Sequence, residues 1–187
     1  MTRTRRIAQA GIIAAAYAVL TLLVIQNPLG FGPVQFRVSE ALTVVALFTP
    51  AGAPGLALGC ALANLAMVGR FGPMALLDVV FGSLATYIGA RWTYKWRARP
   101  LIAFAGPVVA NAVIVPAYLP LVLGAAGFYD VNVLGVDVAS SWPLMYVFGV
   151  VTVAAGEALV VYGLGMPVAA MLRSLDRAGM FGHTTQD

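Results

Sequence analysis

Charge is what this sequence has least of. Of 187 residues only 10% are Asp, Glu, Lys or Arg, while 61% are hydrophobic. A soluble domain carries about 25% charged residues, so water is a poor solvent for this chain as a globule. Its mean hydropathy of +0.91 makes a bilayer the fitting solvent. Cysteine occurs once, at Cys60, which excludes an intrachain disulfide. Histidine occurs once, at His183 in a polar tail, and a lone ligand makes no metal site. Also missing are the spacings G-x-S-x-G, H-E-x-x-H and G-x-x-x-x-G-K-[ST], which carry nucleophilic, metal-hydrolytic and nucleotide chemistry. The expectation is a non-enzyme that hydrolyses no ATP itself and needs no cofactor. The net charge of +4 comes from basic residues scattered at the ends of apolar runs, not from a patch suited to nucleic acid.

What is present is a series of apolar runs in one membrane domain covering 1–187. Six are expected to span: about 7–26, 37–49, 54–68, 73–94, 101–123 and 143–172. The first is longer than the roughly 7–15 apolar residues of a signal peptide and reads as a retained helix. The second and third fall short of the roughly 20 residues a span needs, so they lean on neighbours or stop short of one surface. Pro54 opens the third, where its fixed φ suits a first helical turn. The connection at 27–36 is rich in Gly and Pro, and that at 124–143 is long. The alternation VNVLGVDV in the latter fits a short hairpin; a plain solvated connector fits equally.

Orientation follows from Lys and Arg. With six spans both termini share a side. That side holds Arg3, Arg5, Arg6, Arg91, Lys95, Arg97, Arg99, Arg173 and Arg177, and the other holds Arg37 and Arg70. The expected fold is an all-α membrane protein with six transmembrane helices and both termini cytoplasmic. Small residues let helices approach closely in lipid. Gly55 and Gly59, then Gly82, Ala85 and Gly89, then Gly149, Thr152, Gly156 and Gly163 read as internal packing. Ala10, Ala14 and Ala18 on the first run have two readings, docking of a separate membrane protein or internal packing.

Ionisable groups inside spans are costly and point to function. Here they are Arg37, Glu40, Asp78 and Glu157, joined by the polar Asn64 and Asn111. At about 1.5 Å per residue, Glu40 lies about 5 Å below the outer end of its run, Asn64 and Asp78 about 8 Å, and Asn111 and Glu157 about 17–21 Å. The cytoplasmic third is nearly free of such groups, which suggests a cavity open to the outside and not a continuous channel. Tyr146, Val150, Val153 and Glu157 share one helical face, an aromatic above a carboxylate, suited to a flat ligand with N–H donors. Other readings stand beside these: Glu157 as a buried acid paired with an Asn, Arg37 with Glu40 as an i, i+3 ion pair at a helix start, and Asp78 as a favourable charge at a helix start.

The stretches QFRVSEALTVVALFTPAGAPGLALGCALAN (35–64), LLDVVFGSLATYIGA (76–90) and AAGEALVVYGLG (154–165) resemble the QueT family across all six runs. R-x-S-E-A-L and L-D-x-V-F-G-S-L-A-T are the most specific segments; GRFGPM (69–74) is less typical. QueT proteins are substrate-binding S components of energy-coupling factor (ECF) transporters, associated with queuosine precursors. The resemblance implies a multi-pass protein of the bacterial cell membrane with an outward ligand site. It implies as partners a transmembrane coupling subunit and two cytoplasmic ATPases, the former met through first-helix small residues such as Ala10, Ala14 and Ala18. The substrate would be a 7-deazaguanine-like molecule. Its N–H donors suit Glu40 and Glu157, its carbonyl suits Arg37, Asn64 or Asn111, and its ring suits Tyr146; Asp78 completes the expected substrate-binding set. A stand-alone transporter relaying protons through Glu157 or Asp78 is the rival reading, as is an S component for another vitamin.

Overall fold

The computed structural model describes residues 2–24, 37–125, 132–133, 136–137 and 141–177. The connection at 27–36, much of the loop at 124–143 and the tail with His183 lie outside the described residues. In a bilayer each backbone N–H and C=O must find its partner within the protein, and the chain meets this with helices. These are α1 (Arg3–Val24), a 3-10 helix (Val38–Leu47), α2 (Gly52–Phe71), a 3-10 turn (Pro73–Ala75), a π segment (Asp78–Gly82) leading into α3 (Ser83–Lys95), and α4 (Pro100–Ala125). After two-residue strands β1 (Asn132–Val133) and β2 (Val136–Asp137) come α5 (Trp142–Ala158), a second π segment (Leu159–Leu164) and α6 (Gly165–Arg177). β1 and β2 pair antiparallel, Asn132 opposite Asp137 and Val133 opposite Val136, the pairing expected of a short hairpin. Among the described residues, five segments are long and apolar enough to cross a membrane: Arg3–Val24, Gly52–Gly69, Pro73–Lys95, Pro100–Val122 and Trp142–Ser174. The protein is an all-α membrane protein.

The 3-10 helix is the unusual element. A 3-10 helix rises about 2.0 Å per residue, so its 10 residues reach about 20 Å, still short of a hydrocarbon core of about 30 Å. Side chains three apart eclipse in this geometry. Arg37 at its N-cap is therefore followed down one row by Glu40, Thr43 and Ala46. The helix touches α1, α2, α3, α4 and α6, and Glu40, Thr43, Val44 and Ala46 are buried. It is an inner plug that carries polar groups into the bundle.

The surrounding seams are made by glycine and proline. A Cβ on Gly55 would lie 2.8 Å from the Ala10 carbonyl oxygen, and one on Gly59 2.6 Å from that of Ala14. Of the two readings of Ala10 and Ala14, these contacts favour internal packing. Ala14 is buried, Ala10 and Ala18 are half-buried, and the Ala10/Ala14 face belongs to α2. The reason is steric: the four-residue spacing of Gly55 and Gly59 matches that of Ala10 and Ala14, and two such faces let the backbones meet. Gly11 and Ala15 are exposed instead. Only 17% of the apolar window of α1 is buried inside the protein, against 56% for α4, so α1 is peripheral and presents a wide outer face.

Between α3 and α4, a Cβ on Gly89 would lie 2.7 Å from Pro107 Cα. Pro107 sits inside α4 and has no N–H for the carbonyl four residues back, which is that of Ala103. Thr93 Oγ1 donates to that carbonyl at 3.1 Å, so a hydroxyl from α3 satisfies the acceptor that proline frees. Between α4 and α5, a Cβ on Gly149 would lie 2.8 Å from Pro116 Cβ.

Gly59→Leu is expected to lower stability by at least the about 1–3 kcal/mol of core overpacking, because the obstructing atom is backbone. Gly11→Leu, facing open space, should be nearly neutral. Thermal unfolding of the two detergent-purified variants checks the difference, and equal melting temperatures would contradict the α1–α2 seam.

Candidate functional site

Three polar groupings meet beside the 3-10 helix. In the first, Arg37 Nη2 pairs with Asp78 Oδ2 at 2.6 Å, both side chains being nearly buried. Tyr118 Oη donates to Asp78 Oδ1 at 2.5 Å. Asn64 Nδ2 donates to the Asp78 backbone carbonyl at 2.9 Å and reaches Cys60 Sγ at 3.4 Å. Asp78 opens the first π segment. Such segments shift the ladder to i→i+5 and recur at functional sites. The π segment thus turns Asp78 inward toward α4 and the 3-10 helix.

The second grouping is a hydroxyl cage around Glu40. Tyr17 Oη donates to Glu40 Oε1, Thr86 Oγ1 donates to the same oxygen at 3.4 Å, and Thr43 Oγ1 donates to Oε2 at 3.2 Å. Above it Thr21 Oγ1 donates to Ser39 Oγ at 2.8 Å. Glu40 is only 1% exposed. The cage joins α1, the 3-10 helix and α3 through one carboxylate. A buried acid with three hydroxyl donors is held in place, with little acceptor capacity left for anything else.

The third grouping is a cavity lined by Arg37, Asn111, Val115, Val153 and Glu157. Asn111 Nδ2 donates to Glu157 Oε1 at 3.1 Å. A carboxyl group carries acceptor lone pairs on both oxygens, so Glu157 keeps capacity toward the cavity beyond its bond to Asn111. The cavity measures about 10 Å³, roughly the room one water needs. Two of its lining residues, Val115 and Val153, belong to one apolar cluster with Tyr118 and Val122. A guanidinium, a carboxyl group and an amide face one small space, fit to bind a group carrying both donors and acceptors. Among the described residues no group of three or more His, Cys, Asp or Glu is placed to hold a metal ion.

Of the residues expected from the sequence, Arg37, Asn111 and Glu157 line this cavity. Asp78 and Asn64 stand behind Arg37, and Glu40 lies one 3-10 turn below it. Tyr146 lies apart: its ring stacks on Trp142 at 5.3 Å and 15°, and its hydroxyl donates to the Val113 carbonyl at 3.2 Å. The aromatic wall expected from Tyr146 is therefore not at this cavity, although Val153 and Glu157 from the same helical row are. The i, i+3 pair of Arg37 with Glu40 is absent as well, since Arg37 takes Asp78 and Glu40 takes hydroxyls. The sequence reading passed over Tyr17, Thr43, Thr86 and Tyr118. Their signal was present: a phenol within an apolar span needs a hydrogen-bond partner, and threonines at helical spacing inside such spans are ready donors.

Comparison with known proteins bears on this arrangement. The family model described as QueT transporter matches residues 7–174. A curated protein named "Queuosine precursor transporter QueT", from Lactococcus lactis subsp. cremoris, is 32% identical over 87 residues, covering 46% of this chain and 48% of that protein. The match thus spans about half the length of that relative. No solved structure gives a significant match. The family pattern runs from the first helix to the last and takes in every residue of the three polar groupings, and on that ground the chain belongs to the QueT transporter family.

Proposed function

We propose that the chain captures a queuosine precursor, a small molecule of the 7-deazaguanine class, from outside the cell as the S component of an ECF importer. The observation that carries the reading is Arg37, Asn111 and Glu157 at one cavity. A 7-deazaguanine edge presents a carbonyl acceptor beside N–H donors, as guanine does. Arg37 suits the carbonyl, and Glu157 suits the donors through charge-assisted hydrogen bonds. The cavity has room for about one water, so capture requires Val115 on α4 and Val153 on α5 to part. The termini and the turn after Lys95 face the cytoplasm in this proposal, where nine of the eleven basic residues fall. The partners are a coupling subunit, docked on the outer face of α1 around Gly11 and Ala15, and two ATPases that supply the energy.

Calorimetry on the purified chain tests the substrate. 7-Deazaguanine is expected to bind and thiamine is not; the reverse would move the protein to another vitamin. Uptake in proteoliposomes tests the coupling. Uptake only when the coupling subunit and ATPases are co-reconstituted is the expected result, whereas uptake by the chain alone would favour the proton-coupled reading.

A further inference from the structure

Asp78 does not line the cavity, yet three elements converge on it. Arg37 takes one carboxylate oxygen and Tyr118 the other, at 2.6 and 2.5 Å. Asn64 holds its main chain at 2.9 Å. Gly82 leaves the room this needs, since a Cβ there would sit 2.6 Å from Asp78 Oδ1. Tyr118 is fixed in turn, lying between Pro116 and Pro120 within α4, with its ring 5.8 Å from that of Phe81. Both carboxylate oxygens are thus engaged by the protein. A guanidinium is planar and presents its N–H donors in a rigid fork. Fastening Nη2 to Asp78 therefore limits how far the group can swing where it borders the cavity.

We infer that Asp78 and Tyr118 are positioning residues, which clamp the Arg37 guanidinium so that its remaining N–H edge meets a carbonyl acceptor on the ligand. The inference rests on the reading of the cavity as the ligand site. Asp78, expected from the sequence to touch the ligand, acts through Arg37 instead, and Tyr118 joins it. The clamp serves discrimination: it favours a ligand with a strong acceptor at that edge, and it leaves recognition of the ligand's amino group to Glu157.

The test uses the purified full chain and three probes: 7-deazaguanine, its 6-thio counterpart with a weaker acceptor, and 7-deazahypoxanthine without the exocyclic amino group. Tyr118→Phe keeps the ring and removes the hydroxyl. Its preference for oxygen over sulfur is expected to fall by about tenfold, one charge-assisted hydrogen bond's worth, while its preference for the amino group stays at the wild-type value. A fall in both preferences, or in neither, overturns the inference. A second arm needs no ligand. In nitrogen-15 NMR of arginine side chains, the Arg37 Nη signals are expected to be separate in the wild type and to merge in Tyr118→Phe and Asp78→Asn. Signals that stay separate in Asp78→Asn overturn the clamp. If none of the probes binds the wild type, the substrate reading fails, and this second arm decides the clamp by itself.

Discussion

Glu157→Gln is expected to weaken 7-deazaguanine binding by roughly ten- to a hundredfold, the range of one or more hydrogen bonds to a charged group, with the fold kept. The substitution preserves shape. It turns one acceptor oxygen into an N–H₂; with the remaining oxygen kept on Asn111 Nδ2, that N–H₂ faces a ligand donor, which cannot accept from it. Glu40→Gln is the informative companion. Glu40 is enclosed by Tyr17, Thr43 and Thr86 hydroxyls and does not line the cavity. Its loss should lower the melting temperature and leave affinity within a few fold, since a hydroxyl left unsatisfied in a buried site costs about 1–3 kcal/mol. Calorimetry and thermal unfolding on both variants separate these roles. Unchanged affinity in Glu157→Gln would remove this acid from the site, and a tenfold loss in Glu40→Gln with unchanged stability would put Glu40 into it.

Arg37→Met should be the most damaging single change. It leaves the Asp78 carboxylate buried with Tyr118 and no cation, and breaking a buried ion pair in this way costs about 3–5 kcal/mol. The double variant Arg37→Met with Asp78→Leu should recover part of that stability, because a buried pair replaced by apolar groups is often neutral, less the about 1–3 kcal/mol of the Tyr118 hydroxyl that loses its acceptor. Binding should not return in the double variant. Melting temperature and ligand affinity, measured on the wild type and both variants, carry the argument. Recovered stability without recovered affinity assigns the ion pair to function. Recovery of both would make Arg37 a structural cation and move the carbonyl contact to Asn111.

The sequence by itself determined the solvent, the fold class and the family. Hydrophobic content and length leave few options in a bilayer, where the backbone can satisfy itself only in helices or closed barrels, and runs near 20 residues choose helices. The motifs around Arg37 and Asp78 were specific enough to name the family, since both lie in contiguous segments. The residues of the polar groupings were visible too, because a charge inside an apolar run is costly wherever it sits.

Tertiary structure alone decided who pairs with whom. Arg37 with Asp78 and Asn111 with Glu157 are 41 and 46 residues apart, and no local periodicity reports such separations. The nearer partner, Glu40, stands in the same 3-10 row yet loses Arg37, because hydroxyls from α1 and α3 take Glu40 while Asp78 takes Arg37. The same holds for the alanines of α1. Their spacing announced a close contact, but a small face fits a partner subunit and a neighbouring helix equally well. Gly55 and Gly59, with the matching spacing and no side chain to keep the backbones apart, gave Ala10 and Ala14 to α2.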